Sequence, residues 1–221
     1  MSATTGVLLL WAGFVGSHLA LSSVTVRGRL VARLGERPFQ ALYSLVALAF
    51  FIPLVRVYFA HKHTGPWLWQ ITPGPALRWV MYVGMGLAFV LVVASQVTPS
   101  PANLVPGPPQ PKPVHYLTRH PFLMGTGLFA LLHLLPNGSA TDVAFFGGFV
   151  VLGLVGGWHQ DARKLATGVP GYREFCAATP FLPFTGDQTW RGLRGLPPVA
   201  VGLGIVLAIV VRRYHASWFG G

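Results

Sequence analysis

The stretch YLTRHPFLMGTGLFALLHLLPNG, Tyr116 to Gly138, decides the fold. It is an apolar run of nearly membrane length that opens on Arg-His-Pro and carries a second histidine, His133, near its far end. Crossing the hydrocarbon takes about 20 apolar residues at 1.5 Å each. Five other stretches satisfy or approach that length: Thr5–Ser22, Phe39–Ala60 with Pro53 inside it, Ala76–Val97, Asp142–Trp158 and Pro198–Val211. With His120–Leu135 they give about six spans, of which the fourth and the last are the shortest.

The composition agrees. Of the 221 residues, 52% are hydrophobic and 10% charged, and the mean hydropathy is +0.56. Soluble domains carry about 25% charged residues, so the chain is of the membrane class. The reading is an all-α polytopic transmembrane bundle, one integral membrane domain over residues 1–221, with an interfacial cap. Glycines within the spans, such as Gly125, Gly147 and Gly148, permit close helix packing.

In a soluble protein a net charge of +11 would suggest nucleic acid; here its distribution over the loops sets topology. Arg27, Arg29, Arg33 and Arg37, then Lys112 and Arg119, then Arg163, Lys164, Arg173, Arg191 and Arg194 fall on one side. That side is expected in the cytoplasm and the N-terminus outside, as in a bacterial inner membrane protein. Arg212 and Arg213 oppose the rule. The N-terminus reads as the first span rather than a signal peptide. The proline-rich Thr98–Val114 is expected to run extended along the surface. Gln160–Leu196, mixing charge with aromatics, forms the cytoplasmic cap.

Histidines carry the candidate chemistry. His18, His120 and His133 lie within or at the edge of spans, and His159 sits where the fifth span leaves the membrane. Ionisable groups at such depth mark functional sites, although a neutral histidine bonded to a neighbouring helix is the plain alternative. In Arg-His-Pro the proline suits a first helical turn and Arg119 can extend toward lipid phosphates. His120 has no such account. With Cys176 as the one cysteine, and no HExxH or CxxC, a zinc site is not indicated. Haem needs one or two axial histidines between apolar walls, and without CxxCH it would be non-covalent haem b. No P-loop, dinucleotide fingerprint or nucleophile motif occurs. The five acids lie in loops or at helix ends, against a carboxylate proton path through the membrane.

The motifs GSHLALSS, LGERPFQALYSLVALA, TRHPFLMG, HLLPNG, HQDARK and PGYREF, in this order from Trp11 to about Phe184, resemble the NnrU family of bacterial membrane proteins. The family's name links it to nitric oxide and nitrite metabolism, and it is related to 15-cis-zeta-carotene isomerase, a membrane haem b enzyme. The resemblance implies that His18 and His133 match the ligand-bearing motifs, with His120 a further matching histidine and Arg119 beside it. It also implies haem-dependent isomerisation of a lipophilic polyene, or a haem-linked role in nitrogen-oxide metabolism. Span geometry strains one pairing. His18 lies about 6 Å from the cytoplasmic end of its helix and His133 about 20 Å from that face. His18, His120 and His159 share a layer instead.

A second resemblance competes. Arg119, His120, Pro121 and Gly125, with Tyr172 and Phe175 later, are similar to the S-adenosylmethionine motifs of membrane methyltransferases for isoprenylcysteine or phospholipid. Those enzymes place paired glutamates where this chain has HQDARK, with one acid, Asp161. A non-enzymatic accessory factor of a denitrification complex is the third reading.

Overall fold

A computed structural model describes residues 1–102 and 107–220. The described residues form ten helices joined by turns and loops, and no strand occurs among them. Ser2 caps α1, Ala3–Ser22, by accepting from the Thr5 amide. The chain breaks at Ser23 in an extended conformation and forms α2, Val24–Leu34. It turns again at Gly35, whose φ of 87° a side chain would disfavour, into α3, Glu36–Ala60. Proline opens α4 (Pro75–Val97), α6 (Pro121–Leu134) and α10 (Pro198–Phe219), where its missing N–H costs nothing. The short α5 covers Pro113–Leu117, α8 Tyr172–Ala178 and α9 Thr189–Arg194.

Helix α7, Ala140–Ala166, carries a π-turn at Leu152–Gly156. Its start is capped by Ser139, which accepts from the Asp142 amide.

Five helices, α1, α3, α4, α7 and α10, are long and apolar enough to cross a membrane, and α6 is a shorter apolar helix. The protein is an integral membrane protein. Exposed Leu45, Val83 and Ile209 belong to the lipid-facing surface that such spans require. The bundle is ordered by its packing: α3 on α1, α1 on α7, α7 on α6, α6 on α4 and α4 on α10.

Without a hydrophobic drive between helices in lipid, close fit holds the row together. Trp11 of α1 donates to the Phe145 carbonyl at 3.0 Å and lies over Gly148, where a Cβ would meet its ring at 2.1 Å. A Cβ on Gly204 of α10 would meet Val90 of α4 at 2.7 Å. The main core gathers Val7, Trp11, Phe14, Leu54, Tyr58 and Phe145.

Several sequence expectations change. The arginine-rich stretch after the first span is helical, because Val24, Val26 and Leu34 give α2 an apolar set between its arginines. The last helix continues through Arg212 and Arg213 to Phe219 and is a full span by length. Arg212 lies over the Tyr82 ring at 5.1 Å and donates to its hydroxyl at 3.1 Å, which accommodates the charge at the helix end. The extended reading of Thr98–Val114 ends at Pro113, where α5 begins; residues 103–106 of it lie outside the described residues.

Candidate functional site

The motif residues converge at the face carrying α2, α5, α8 and α9. Residues 117–119 are strapped to 180–184. Thr118 donates to the Phe181 carbonyl at 2.7 Å, and the Arg119 amide to Pro180 at 2.9 Å. That strap delivers Arg119 and His120 to Asp161 of α7. Arg119 Nε donates to Asp161 Oδ2 at 2.8 Å, and its Nη1 to the Thr179 carbonyl at 2.9 Å. His120 Nε2 is 2.9 Å from Asp161 Oδ1, and the Tyr172 hydroxyl donates to the same oxygen at 2.6 Å. All four groups are buried or nearly so, which makes each bond costly to lose. Burial, and then the bond to Asp161, pushes the Tyr172 hydroxyl well above the usual phenol range.

This corrects the reading of Arg-His-Pro. Arg119 does not extend toward lipid phosphate; its fork is divided between a carboxylate and a carbonyl, with its side chain 16% exposed. His120 acquires the structural account it lacked. It is the N-cap residue of α6, and its Nε2 is engaged by Asp161.

His18 and His133 are different. His18 Nδ1 lies 2.7 Å from the Phe14 carbonyl, and His133 Nδ1 2.9 Å from the Phe129 carbonyl. In each case the bond one turn back along the helix fixes the ring and leaves Nε2 as the remaining ring nitrogen, the arrangement a metal-bound imidazole uses. Their surroundings are aromatic. His18 sits 4.1 Å from the Phe14 ring and 4.9 Å from Tyr43. His133 stacks on Phe146 at 4.7 Å and lies 4.2 Å from Phe129, with the His215 ring 6.3 Å away.

The structure does not bring the two together. His18 lies one turn before the end of α1, toward the Asp161 face, whereas His133 is in the last turn of α6, toward the opposite face. Among the described residues no three of His, Cys, Asp and Glu gather as a metal cage. The donor chemistry suits one imidazole against an apolar macrocycle, so His18 and His133 each fit a haem ligand and His120, through Nε2, does not.

The opposite face holds a knot the sequence reading passed over. Asp142, fully buried, accepts from the Tyr58 hydroxyl at 3.0 Å and from Ser139 Oγ at 2.7 Å, and its Oδ2 is 2.9 Å from His63 Nδ1. It holds the loop after α3 against the α6–α7 turn. The local signal was present, for Ser139-x-x-Asp142 is a helix-start pattern.

Together the bundle, the two buried carboxylates on α7 and the aromatic-walled histidines define a polytopic α-helical membrane protein with candidate imidazole ligand positions between its helices. The chain belongs to the NnrU family: the family model, described as NnrU protein, matches residues 7–221. It is 24% identical over 186 residues to the chloroplastic 15-cis-zeta-carotene isomerase of Zea mays, covering 80% of this chain and 49% of that protein. Against the Arabidopsis thaliana protein of the same name it is 25% identical over 204 residues, covering 89% and 53%. The chain thus spans about half the length of these curated relatives. No solved structure matches it significantly.

Proposed function

We propose that the protein is a haem b-binding membrane isomerase that shifts the geometry of a double bond in a lipophilic polyene. Its place would be the bacterial cytoplasmic membrane, with the N-terminus outside. The observation that carries the reading is His133. Its Nδ1 is tied to Phe129, Nε2 is its remaining ring nitrogen, and Phe129 and Phe146 wall it. The relatives named as zeta-carotene isomerases supply the substrate class.

His133 would hold the haem, and His18 is the second candidate. When bound, the haem iron supplies a redox-neutral means of rearranging a conjugated double bond. The protein's own part is positional. The Phe129 carbonyl keeps the His133 ring oriented, and the aromatic walls exclude water and suit a flat, apolar partner. Cis–trans rotation about a double bond moves no proton, so no acid–base pair is required, consistent with both buried carboxylates being occupied in structural knots.

The test is an absorption spectrum of the detergent-purified protein, oxidised and then dithionite-reduced, with a pyridine haemochrome assay. A Soret band with b-type α and β bands at near one haem per chain is expected. A colourless protein made with ample haem would overturn the reading and direct attention to S-adenosylmethionine binding. Against that alternative stands the engagement of Arg119, His120 and Tyr172 with Asp161.

A further inference from the structure

We propose that Arg27 of α2 with Arg163 and Lys164 of α7 forms a binding site for one phosphate-class anion at the membrane boundary. Three observations carry it, and none depends on the haem reading.

The first is uncompensated charge. Arg163 and Lys164 are both partly buried, yet neither side chain makes a hydrogen bond or ion pair among the described residues. Arg163 Nε is sealed from solvent with no acceptor. A guanidinium donor in that position costs free energy until an acceptor reaches the group.

The second is convergence. Arg163 lies within electrostatic range of Arg27, Tyr43, Tyr172 and Glu36, and Lys164 within range of Arg163 and Arg27, without a direct bond between them. Cations in the last turn of α7 are expected from the helix dipole. The dipole does not explain why α2 brings a third cation beside them. Glu36 is the acid that faces Arg27 and Arg163, and its Oε1 is already taken by Arg27 at 2.5 Å and Gln40 at 3.2 Å. Glu174 lines the same recess as Lys164, so three cations face two carboxylates, one of them already committed to Arg27, and a further negative charge is still accommodated.

The third is location. Helix α2 exposes Val24, Val26 and Leu34 among its arginines, and Trp158, 65% exposed, stands five residues before Arg163 on the same helix. Apolar residues, arginines and an exposed tryptophan together mark the headgroup layer. Phosphodiester headgroups are the concentrated anions at that depth, and basic recesses between spans bind them. Inorganic phosphate would satisfy the same donors.

The test uses the delipidated full-length protein in neutral detergent, titrated in native mass spectrometry with phosphatidylglycerol, phosphatidylcholine or inorganic phosphate. The native protein is expected to retain one phosphatidylglycerol in preference to phosphatidylcholine. In Arg163→Gln/Lys164→Gln that binding should weaken about thirtyfold, the effect of two interfacial charges. Arg29→Gln/Arg33→Gln, with equal charge removed from exposed positions of α2, should bind as the native protein does and controls for bulk electrostatics. Saturation by inorganic phosphate alone, lost in the first double variant, would support the site with free phosphate as its source. Equal binding of both lipids without phosphate binding, or undiminished binding in Arg163→Gln/Lys164→Gln, would overturn the proposal. Circular dichroism and elution volume establish that each variant is folded.

Discussion

Arg119, just before α6, and Asp161, near the end of α7, meet at 2.8 Å, and the same carboxylate takes His120 and Tyr172. One acid therefore collects three motifs that are scattered along the chain. Asp161→Asn would leave Arg119 buried without its counter-charge and disturb the bond to His120. Removing one partner of a buried ion pair costs about 3 kcal/mol. A clear fall in the detergent melting temperature is expected. Tyr172→Phe, which deletes one hydrogen bond to a charged group, should cost about 2 kcal/mol. Melting temperatures equal to native in both variants would refute the structural role.

Haem content separates the three histidines. His133→Ala should lower haem per protein, read by pyridine haemochrome, at near-normal yield. His120→Ala should instead lower yield and melting temperature, because its Nε2 serves Asp161. Unchanged haem in His133→Ala would remove that residue as a ligand and leave His18 to be tested in the same way.

The contact of Gly148 with Trp11 gives a packing test. A methyl group there would meet the indole at 2.1 Å, whereas nothing lies within 4 Å of one at the adjacent Gly147. Overpacking of this kind costs about 2 kcal/mol. Gly148→Ala should therefore destabilise the α1–α7 contact, and Gly147→Ala should leave the melting temperature within error of native.

His115 makes the cap sensitive to acid. The side chain is fully buried in α5, its Nδ1 accepts from the Lys112 amide at 3.1 Å, and burial lowers its pKa from 6.5 to about 4. Between those values the unfolded chain takes up a proton that the folded chain refuses. Stability from this residue is thus complete above pH 6.5 and declines as pH falls toward 4. At about 1.4 kcal/mol per unit the loss is about 3 kcal/mol. Melting curves across that range should show it, and His115→Gln should flatten the slope; a native slope in the variant would assign the effect elsewhere.

The spans were legible because hydropathy and length alone define them; α1, α3, α4 and α7 contain the apolar runs read from sequence. The ends were not. Arg212 and Arg213 looked like a stop, since nothing local reveals that Tyr82, on another helix, takes up Arg212. Helix α2 was hidden for a related reason. Its arginines depress hydropathy, while its apolar residues matter only against a surface. In the site, the motifs naming Arg119, His120, Asp161 and Tyr172 were visible as words, but their sharing of one carboxylate is a tertiary fact with no spacing rule. The Asp142 knot was partly readable from Ser139-x-x-Asp142, whereas His63 and Tyr58 reach it only through the fold.

Both buried carboxylates sit on α7, one in its first turn and one near its last. At 1.5 Å per residue the rise between them is about 28 Å, close to the roughly 30 Å depth of a hydrocarbon core. Each is bolted to groups from other parts of the chain, so the separation of the two polar layers is a fixed dimension of the protein. A bilayer of different thickness cannot be met by sliding or stretching this helix, because either movement would strip donors from a buried charge. The lipid must deform around the protein, or the protein must tilt as a whole, which makes α7 a gauge for the membranes it can inhabit.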